Sequence, residues 1–439
     1  MIEEKHKEIA RWAMDYALKN GCSASRVSVI TGQNSSFEYR NTQLDKLQLN
    51  SENKLYIELF VEGKYGSFST NRLDRAELET FIKEGILSTK FLAEDVCRQL
   101  PDASRYYKSD GRDLDLYDPS YFDRSTDEKL DLLKQTVNEI YGTDDRIVSV
   151  TASFGDGCGA EYMIASNGFE EETQDSAFSL TAEVALKTDT DARPEAYWYD
   201  SRVYWSDLQK TGIAKTALER ALRKIGQRKI KSGKYTMLLD NTMSSRLLSP
   251  LISAMYGSAL QQKNSFLLDK LGVQVVSEKL TIRDNPHLKR AFGARWFDGE
   301  GVATHEGTIV SNGVLNTYFI DTYNALKMNV APTIASPSII EAALGSENFD
   351  GLLKSIKKGI WVTGFNGGNC NSTTGDFSFG IEGFLIENGI AVTPLSEMNI
   401  TGNILSLWMN LAEIGNDPRN NSSWRLPALV FEDVNFNGV

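Results

Sequence analysis

The side chains that most often bind metals or attack substrates are few and scattered in this sequence. Three histidines and four cysteines occur among 439 residues. They are His6, His287, His305, Cys22, Cys97, Cys158 and Cys370. A zinc site needs several imidazole or thiolate ligands at close spacing, and no two of these residues have it. The scarcity of these residues therefore strongly limits zinc chemistry and acid–base catalysis by histidine in this chain.

A cysteine nucleophile is the alternative that these residues leave open. The cysteines form no Cys-x-x-Cys pair, which favours reduced thiols over disulfides. Cys158 or Cys370 could attack a substrate if His287 or His305 lay beside it in the fold. His6 falls on the first turns of an amphipathic helix, and we expect it to be exposed to solvent. A self-sufficient cysteine-type hydrolase is thus one hypothesis.

The densest run of glycines lies between Gly364 and Gly380. It lacks the Gly-Lys-Ser/Thr ending of a phosphate-binding loop and the strand-then-helix context of a dinucleotide site. Because glycine has no side chain to obstruct another backbone, an extended peptide could approach here and add to a strand edge. A bulged strand that binds nothing is equally compatible with these residues. The candidate peptide-contact loop consists of Gly364, Phe365, Asn366, Gly367 and Gly368.

Composition and charge narrow the class of protein. Hydrophobic residues make up 41% and charged residues 24%, which is typical of a folded globular chain. The 47 basic and 59 acidic residues give a net charge of -12, so direct nucleic-acid binding is not expected. The N-terminus lacks the pattern of a signal peptide, and no apolar stretch approaches 18 residues. We expect a cytoplasmic protein without membrane contact.

The elements that must position any site fall into three predicted domains, at residues 1–105, 106–230 and 231–439. The first combines a helix over 3–20 with an antiparallel meander, and we expect turns at 32–34 and 62–64. A polar segment at 101–122 predicts a surface loop. The second domain opens with a helix over 130–141 and continues with strands, among which Asn167-Gly168 indicates a hairpin turn.

A helix over 210–229 carries a strongly basic end. Arg220, Arg223 and Lys224 belong to this end, which could in principle attract nucleic acid. No aromatic residues interleave with them, and positive charge at the last turn of a helix complements the helix dipole. We therefore interpret the basic end as structural.

The third domain is predicted to begin with a strand at 235–240 and a helical block from Thr242 to Lys270. The rest of this domain is predicted to be mainly β-strand. Residues 311–313 and 387–389 read Ser-Asn-Gly and Glu-Asn-Gly between alternating apolar segments. Asn-Gly at such a place predicts a type I′ hairpin. Two hairpins of this kind indicate an antiparallel sheet.

Several blocks of this third section, in order along the chain, resemble the TldD/PmbA family, also known as modulators of DNA gyrase. The Arg40-Asn41 pair and residues 65–71 are similar to the family's N-terminal domain, so the resemblance spans nearly the whole chain. The blocks of the third section are residues 258–272, Phe297–Thr304, Asn312–Leu315, Gly375–Gly380, Gly402-Asn403 and Gly415–Asp417. Together with the patterns above, the resemblance implies an α+β fold whose C-terminal domain is mainly antiparallel and barrel-like.

The resemblance also implies a zinc peptidase made of two different subunits. The TldD-type subunit binds zinc through a helical His-Glu-x-x-x-His motif and a cysteine near its C-terminus. By alignment from the shared Lys270-Leu271-Gly272 segment, that motif falls on residues 248–253 of this chain. Leu248, Ser249 and Ser253 then occupy the motif's metal-site positions, and no cysteine follows Cys370. This pattern resembles the PmbA/TldE branch, which lacks the metal motif.

The resemblance predicts a non-catalytic subunit with no cofactor of its own. We expect it to pair with a TldD-like subunit that holds the zinc, and to help that subunit cut short unfolded peptides during proteolysis or peptide maturation. A homodimer is possible when the partner is missing. A gyrase-modulating binding protein, acting through its acidic surface, remains a further alternative.

Overall fold

The computed structural model describes residues 2–439. The first half of the chain consists of one β-sheet packed against a layer of helices. Six strands form a single antiparallel sheet in the spatial order β3-β2-β1-β4-β5-β6. These strands are β1 (Ala24–Arg40), β2 (Gln43–Val61), β3 (Lys64–Thr70), β4 (Ile147–Ala165), β5 (Phe169–Leu186) and β6 (Glu195–Arg202). The strands of residues 1–105 and 106–230 thus pair with each other through β1 and β4. The division of this half into two domains stays a prediction.

The turns of this sheet test the patterns directly. Glu62 and Gly63 connect β2 to β3 with positive φ at both residues, and residues 166–168 connect β4 to β5, so both of these predicted turns are confirmed. The turn expected at residues 32–34 is wrong, because β1 runs through it without a break. Residues 32–34 pair with β2 on one side and with β4 on the other. This pairing outweighs the local preference of these residues for a turn.

Four helices cover this sheet and enclose two apolar clusters. The clusters are built from alternate residues of the strands, which face the helices. The helices are α1 (Glu4–Lys19), α2 (Arg75–Lys90), α3 (Thr126–Asn138) and α4 (Ile213–Arg223). Ser125 caps α3 by accepting a hydrogen bond from the Glu128 amide. The predicted loop at 101–122 contains only two short 3-10 turns, at Ala103–Arg105 and Tyr121–Asp123.

The C-terminal half contains a small closed barrel, which confirms the predicted α+β fold with a barrel-like C-terminal domain. Five strands follow each other in the order β14-β13-β12-β7-β17, and β14 pairs with β17 to close the ring. Within the barrel, β7 and β12 are the one pair of neighbouring strands that run parallel to each other. The barrel strands are β7 (Gly233–Leu239), β12 (Lys358–Cys370), β13 (Asp376–Glu387), β14 (Ile390–Asn403) and β17 (Leu429–Asn437), and β15 (Leu411–Ile414) extends β17.

A second small sheet and five short helices surround the barrel. The sheet has the order β10-β9-β8-β11-β16. Its strands are β8 (Ile282–Asp284), β9 (Gly307–Ser311), β10 (Val314–Leu315), β11 (Ile340–Ala342) and β16 (Trp424–Arg425). The helices are α5 (Ser244–Ser253), α6 (Gly257–Gln261), α7 (Thr322–Met328), α8 (Phe349–Ser355) and α9 (Ile404–Met409). The largest apolar cluster of the chain lies between the barrel, α5 and α9.

Both Asn-Gly hairpins of this half are confirmed. Asn312 and Gly313 connect β9 to β10, and Asn388 and Gly389 connect β13 to β14. All four residues have positive φ, as a type I′ turn requires. Across residues 2–439, the helices are all too short or too polar to span a lipid bilayer.

Candidate functional site

Helix α5 carries the three positions onto which the family's metal motif aligns. Leu248 is fully buried in the main apolar cluster, whereas Ser249 and Ser253 are exposed one helical turn apart. An aliphatic side chain and two exposed hydroxyls do not fit the nitrogen and sulfur ligands of zinc. Within residues 2–439, no three His, Cys, Asp or Glu side chains are grouped to hold a metal ion.

The candidate peptide-contact loop is the bulged part of strand β12, which we call the bulge segment (Gly364–Gly368). The register of β12 against β13 shifts between Val362 and Gly364 and again between Phe365 and Gly368. Gly368 has a φ of 95°, and a Cβ there would lie 2.1 Å from the Ser378 carbonyl oxygen. Only glycine fits this close approach of two strands. The glycines therefore have a structural explanation, and contact with a peptide stays a prediction.

Arg246 connects α5 to the bulge segment. Its Nη2 donates a hydrogen bond to the Gly368 carbonyl at 3.3 Å, and its guanidinium lies 5.1 Å from the centre of the Phe379 ring. The structure thus brings the two predicted regions together through a residue that the sequence did not single out. A lone exposed arginine in a helix carries no sequence signal for this contact.

A cleft of about 960 Å³ lies between the N-terminal sheet and the C-terminal half. One wall consists of β6, α4 and the β5–β6 connection, and the other includes Thr242 and Met243, which precede α5. Gly364, Phe365 and Asn366 also line this second wall. The other predicted site residues, Gly367, Gly368, Leu248, Ser249 and Ser253, lie outside the cleft lining.

Lys224 and Glu382 join the two walls of the cleft. The Lys224 ammonium lies 2.6 Å from a Glu382 carboxylate oxygen and also donates to the Glu195 carbonyl at 2.7 Å. Both side chains of the ion pair are largely buried. Gly364 makes room for this pair, since a Cβ there would lie 2.5 Å from the same carboxylate oxygen. The basic end of α4, interpreted as a complement to the helix dipole, therefore has a second role at the cleft.

The cleft exposes the free edge of the N-terminal sheet, because β6 is its last strand. The Leu186 amide donates a hydrogen bond to the Pro194 carbonyl at 2.9 Å. In the register of β5 with β6, the even-numbered residues of β6 therefore make the hydrogen bonds to β5. Odd-numbered residues of β6 consequently direct their backbone N–H and C=O groups outward. Among residues 2–439, the N–H and C=O of Tyr197 and the N–H of Tyr199 have no hydrogen-bond partner. An extended peptide could pair with this edge.

The thiols lack the surroundings of a nucleophile. Cys158 is buried beside β1 and β5, and burial raises the pKa of its thiol. Burial also raises the pKa of Cys370. His287 instead bonds to the Thr304 hydroxyl at 3.1 Å and has a pKa lowered by burial, while His305 is exposed. A reactive thiol needs the opposite shift and an adjacent base.

His6 corrects one expectation from the sequence. It is only 5% exposed, although we expected it to face solvent. Its Nδ1 accepts a hydrogen bond from the Glu3 amide at 3.1 Å and so caps the N-terminus of α1. The amphipathic pattern located the helix but could not show that the histidine folds back over its first turn.

Comparison with protein families gives two adjacent matches. Residues 119–225 match the PmbA/TldA metallopeptidase central domain. Residues 232–438 match the PmbA/TldA metallopeptidase C-terminal domain. The two matched segments together cover most of the chain, including both walls of the cleft.

Individual relatives extend the similarity to the whole chain. A crystal structure from Bacteroides thetaiotaomicron, described as a proposed modulator of DNA gyrase, is 56% identical, covers 100% of both chains and has a TM-score of 0.98. The metalloprotease PmbA of Escherichia coli is 27% identical over 99% of this chain and 97% of its own. TldE from Thermococcus kodakarensis, at 17% identity, 99% and 100% coverage and a TM-score of 0.85, shares the fold. The chain therefore belongs to the PmbA/TldD metallopeptidase family, as its sequence blocks predicted.

Proposed function

We propose that this chain is a PmbA/TldE-like subunit that binds extended peptides and leaves their hydrolysis to a zinc-bearing TldD-like partner. The observation that carries the proposal is the unpaired edge of β6 in a cleft of about 960 Å³. A cleft of this volume can enclose several residues of a peptide. Main-chain hydrogen bonds to a strand edge recognise any extended backbone, which suits a protein that handles unfolded peptides of varied sequence.

The residues of α5 are the reason for assigning hydrolysis to the partner subunit. Metal-assisted peptide hydrolysis needs a metal-bound water and a nearby carboxylate base. The aligned positions hold Leu248, Ser249 and Ser253, of which the first is locked in the apolar core. This chain therefore contributes binding surface to the complex and requires no cofactor. We place the complex in the cytoplasm and its action in proteolysis or peptide maturation.

Reconstitution tests this proposal. The chain is assayed for cleavage of an unfolded peptide in the presence of zinc, first alone and then with a TldD-like subunit from the same organism. We expect cleavage only in the mixture, and we expect it to disappear when the partner's metal-ligating histidines are replaced by alanine. Robust cleavage by this chain alone would refute the proposal.

The cysteine-hydrolase alternative makes a different prediction for the same assay. If a thiol were the nucleophile, this chain would cleave the peptide without a partner, and the double variant Cys158→Ala, Cys370→Ala would lower the cleavage in the mixture. We expect the double variant to retain it, because neither thiol has a histidine beside it and burial disfavours both thiolates. The matched control is Cys97→Ala, which changes a partly exposed thiol outside the cleft lining.

A further inference from the structure

Four guanidinium groups line the cleft: Arg193 belongs to the β5–β6 connection, and the other three come from α4 and from the C-terminal half. Arg220 and Arg223 come from the end of α4, and Arg419 comes from the loop between β15 and β16. Arg220 and Arg419 lie over the same indole ring, with their guanidinium carbons 5.1 Å and 4.3 Å from the centre of Trp198. The aromatic ring thus lies between a charge from α4 and a charge from the C-terminal half, and the two charges are close enough to interact.

The backbone of β6 fixes Arg419 in this position. Its Nη2 donates to the Tyr199 carbonyl at 2.8 Å, and its guanidinium also lies 4.7 Å from the centre of the Tyr199 ring. Its Nη1 is shielded from solvent and has no hydrogen-bond partner among residues 2–439. Burial lowers the pKa of this guanidinium, although an arginine stays charged at neutral pH. A buried donor without an acceptor is costly, so Arg419 holds its place at the cleft with part of its hydrogen-bonding capacity unused.

Arg220, Arg223 and Arg419 differ in the carboxylates that lie near them. Asp240 is 3.9 Å from Arg220 at its nearest atom and is engaged by the backbone and hydroxyl of Thr242. Asp200 lies near Arg419 but is paired with Arg202 at 3.0 Å. Arg223 is exposed and has no carboxylate within 4.0 Å in the described part of the chain. Arg220 and Arg419 therefore have only carboxylates nearby that other groups also engage, and Arg223 has none.

The remaining acidic side chains of the cleft indicate how large an anion the site accepts. Four of them are exposed and line the same cleft: Glu183 on β5, Asp189 between β5 and β6, Glu195 on β6 and Glu397 on β14. They would repel a polyanion such as a nucleic acid, in agreement with the net charge of -12. A single planar carboxylate can avoid them and accept two hydrogen bonds from a guanidinium.

We propose that Arg220, Arg223 and Arg419 bind a carboxylate of the peptide that pairs with β6, supplied by its C-terminus or by an Asp or Glu side chain. This inference rests on the proposed peptide-binding function and adds chemical selectivity to it. The backbone edge accepts any extended peptide, whereas the arginines favour a negative charge at one end of the bound segment. Arg419 contributes to both interactions because it contacts the Tyr199 carbonyl.

Equilibrium binding of labelled octapeptides rich in valine and threonine tests the proposal. One peptide has a free C-terminus and no acidic residue, a second is amidated and contains one aspartate, and a third is amidated and neutral. We expect the neutral peptide to bind about tenfold more weakly than at least one of the other two. The difference between the first two peptides identifies the source of the carboxylate.

Arginine variants show whether the cleft causes this preference. Arg223→Met removes an exposed charge without an ion pair and should reduce the preference, and Arg419→Met should abolish it. Arg72→Met, on the β3–α2 connection, is the matched control and should keep it. Thermal unfolding shows whether Arg419→Met remains folded, and Arg223→Met keeps the test valid if it does not. Equal binding of all three peptides overturns the carboxylate site alone, whereas no binding of any peptide overturns the proposed function as well.

Discussion

The two walls of the cleft differ in how many of their polar groups already have a hydrogen-bond or ionic partner. On the C-terminal wall, the bulge segment is bonded into the barrel and Arg246 is committed to the Gly368 carbonyl. On the N-terminal wall, the edge of β6 retains free backbone groups, and Arg419 reaches this edge from the C-terminal half with an Nη1 that has no hydrogen-bond partner. The glycines of the bulge segment, which the sequence singled out, thus serve the packing of the barrel. We therefore expect a peptide to bind mainly at the edge of β6.

The largest effect should come from the bulge segment. Gly368→Ala places a Cβ against the Ser378 carbonyl at a positive φ, and we expect it to lower the free energy of unfolding by about 3 kcal/mol. Gly367→Ala is the matched control, because nothing lies within 4 Å of its Cβ. Its positive φ alone should cost about 1 kcal/mol. Chemical denaturation measures both, and equal losses would contradict the assigned close packing.

The connection between the walls should have the next largest effect. Lys224→Met leaves the largely buried Glu382 carboxylate without its cation, and we expect a loss of about 2 kcal/mol in the free energy of unfolding. Lys229→Met breaks an exposed pair with Glu397 and should change it by less than about 0.5 kcal/mol. Denaturation curves compare the two. If Lys224→Met proved as mild as Lys229→Met, the ion pair would not be what joins the walls.

A change at the strand edge should affect binding more than stability. Tyr197→Pro removes an outward N–H that takes no part in the β5–β6 ladder, so the sheet should persist as edge strands tolerate proline. We expect peptide affinity to fall about tenfold, since one main-chain hydrogen bond is lost and the next is displaced. Tyr197→Val keeps the N–H and controls for the loss of the ring. Unchanged affinity in Tyr197→Pro would place the peptide elsewhere.

The smallest effect should come from α5. The double variant Ser249→Ala, Ser253→Ala alters two exposed hydroxyls, and we expect less than about 0.5 kcal/mol change in the free energy of unfolding. Cleavage by the reconstituted complex should also be unchanged. A large loss of cleavage with stability intact would mean that these serines contribute to the chemistry and that α5 is not a degenerate metal-site helix.

Local signals predicted much of the fold. Asn312-Gly313 and Asn388-Gly389 located two hairpins because only residues that tolerate positive φ fit such turns. The sequence blocks located the family and, through it, the barrel. The pairing of β1 with β4 was not predictable from periodicity, because it joins residues more than 100 positions apart that carry no local sign of each other.

The candidate site was predicted less completely than the fold. The positions on α5 follow from alignment and the absence of histidine between residues 7 and 286. The role of β6 could not be predicted, because the alternation of apolar and polar residues is the same in a central strand and in an edge strand. Arg419 was missed because a single arginine in a loop has no pattern, and its meaning appears only when the fold places it over Trp198.

Hydrogen–deuterium exchange on the isolated chain tests whether an extended peptide pairs with β6 and stays uncleaved. The measured groups are the amides of Tyr197 and Tyr199, with and without a saturating extended peptide and without added metal. We expect slower exchange at these two amides when the peptide is present, and we expect to recover the peptide intact at the end. Unchanged exchange at β6, or recovery of a cleaved peptide, would contradict it.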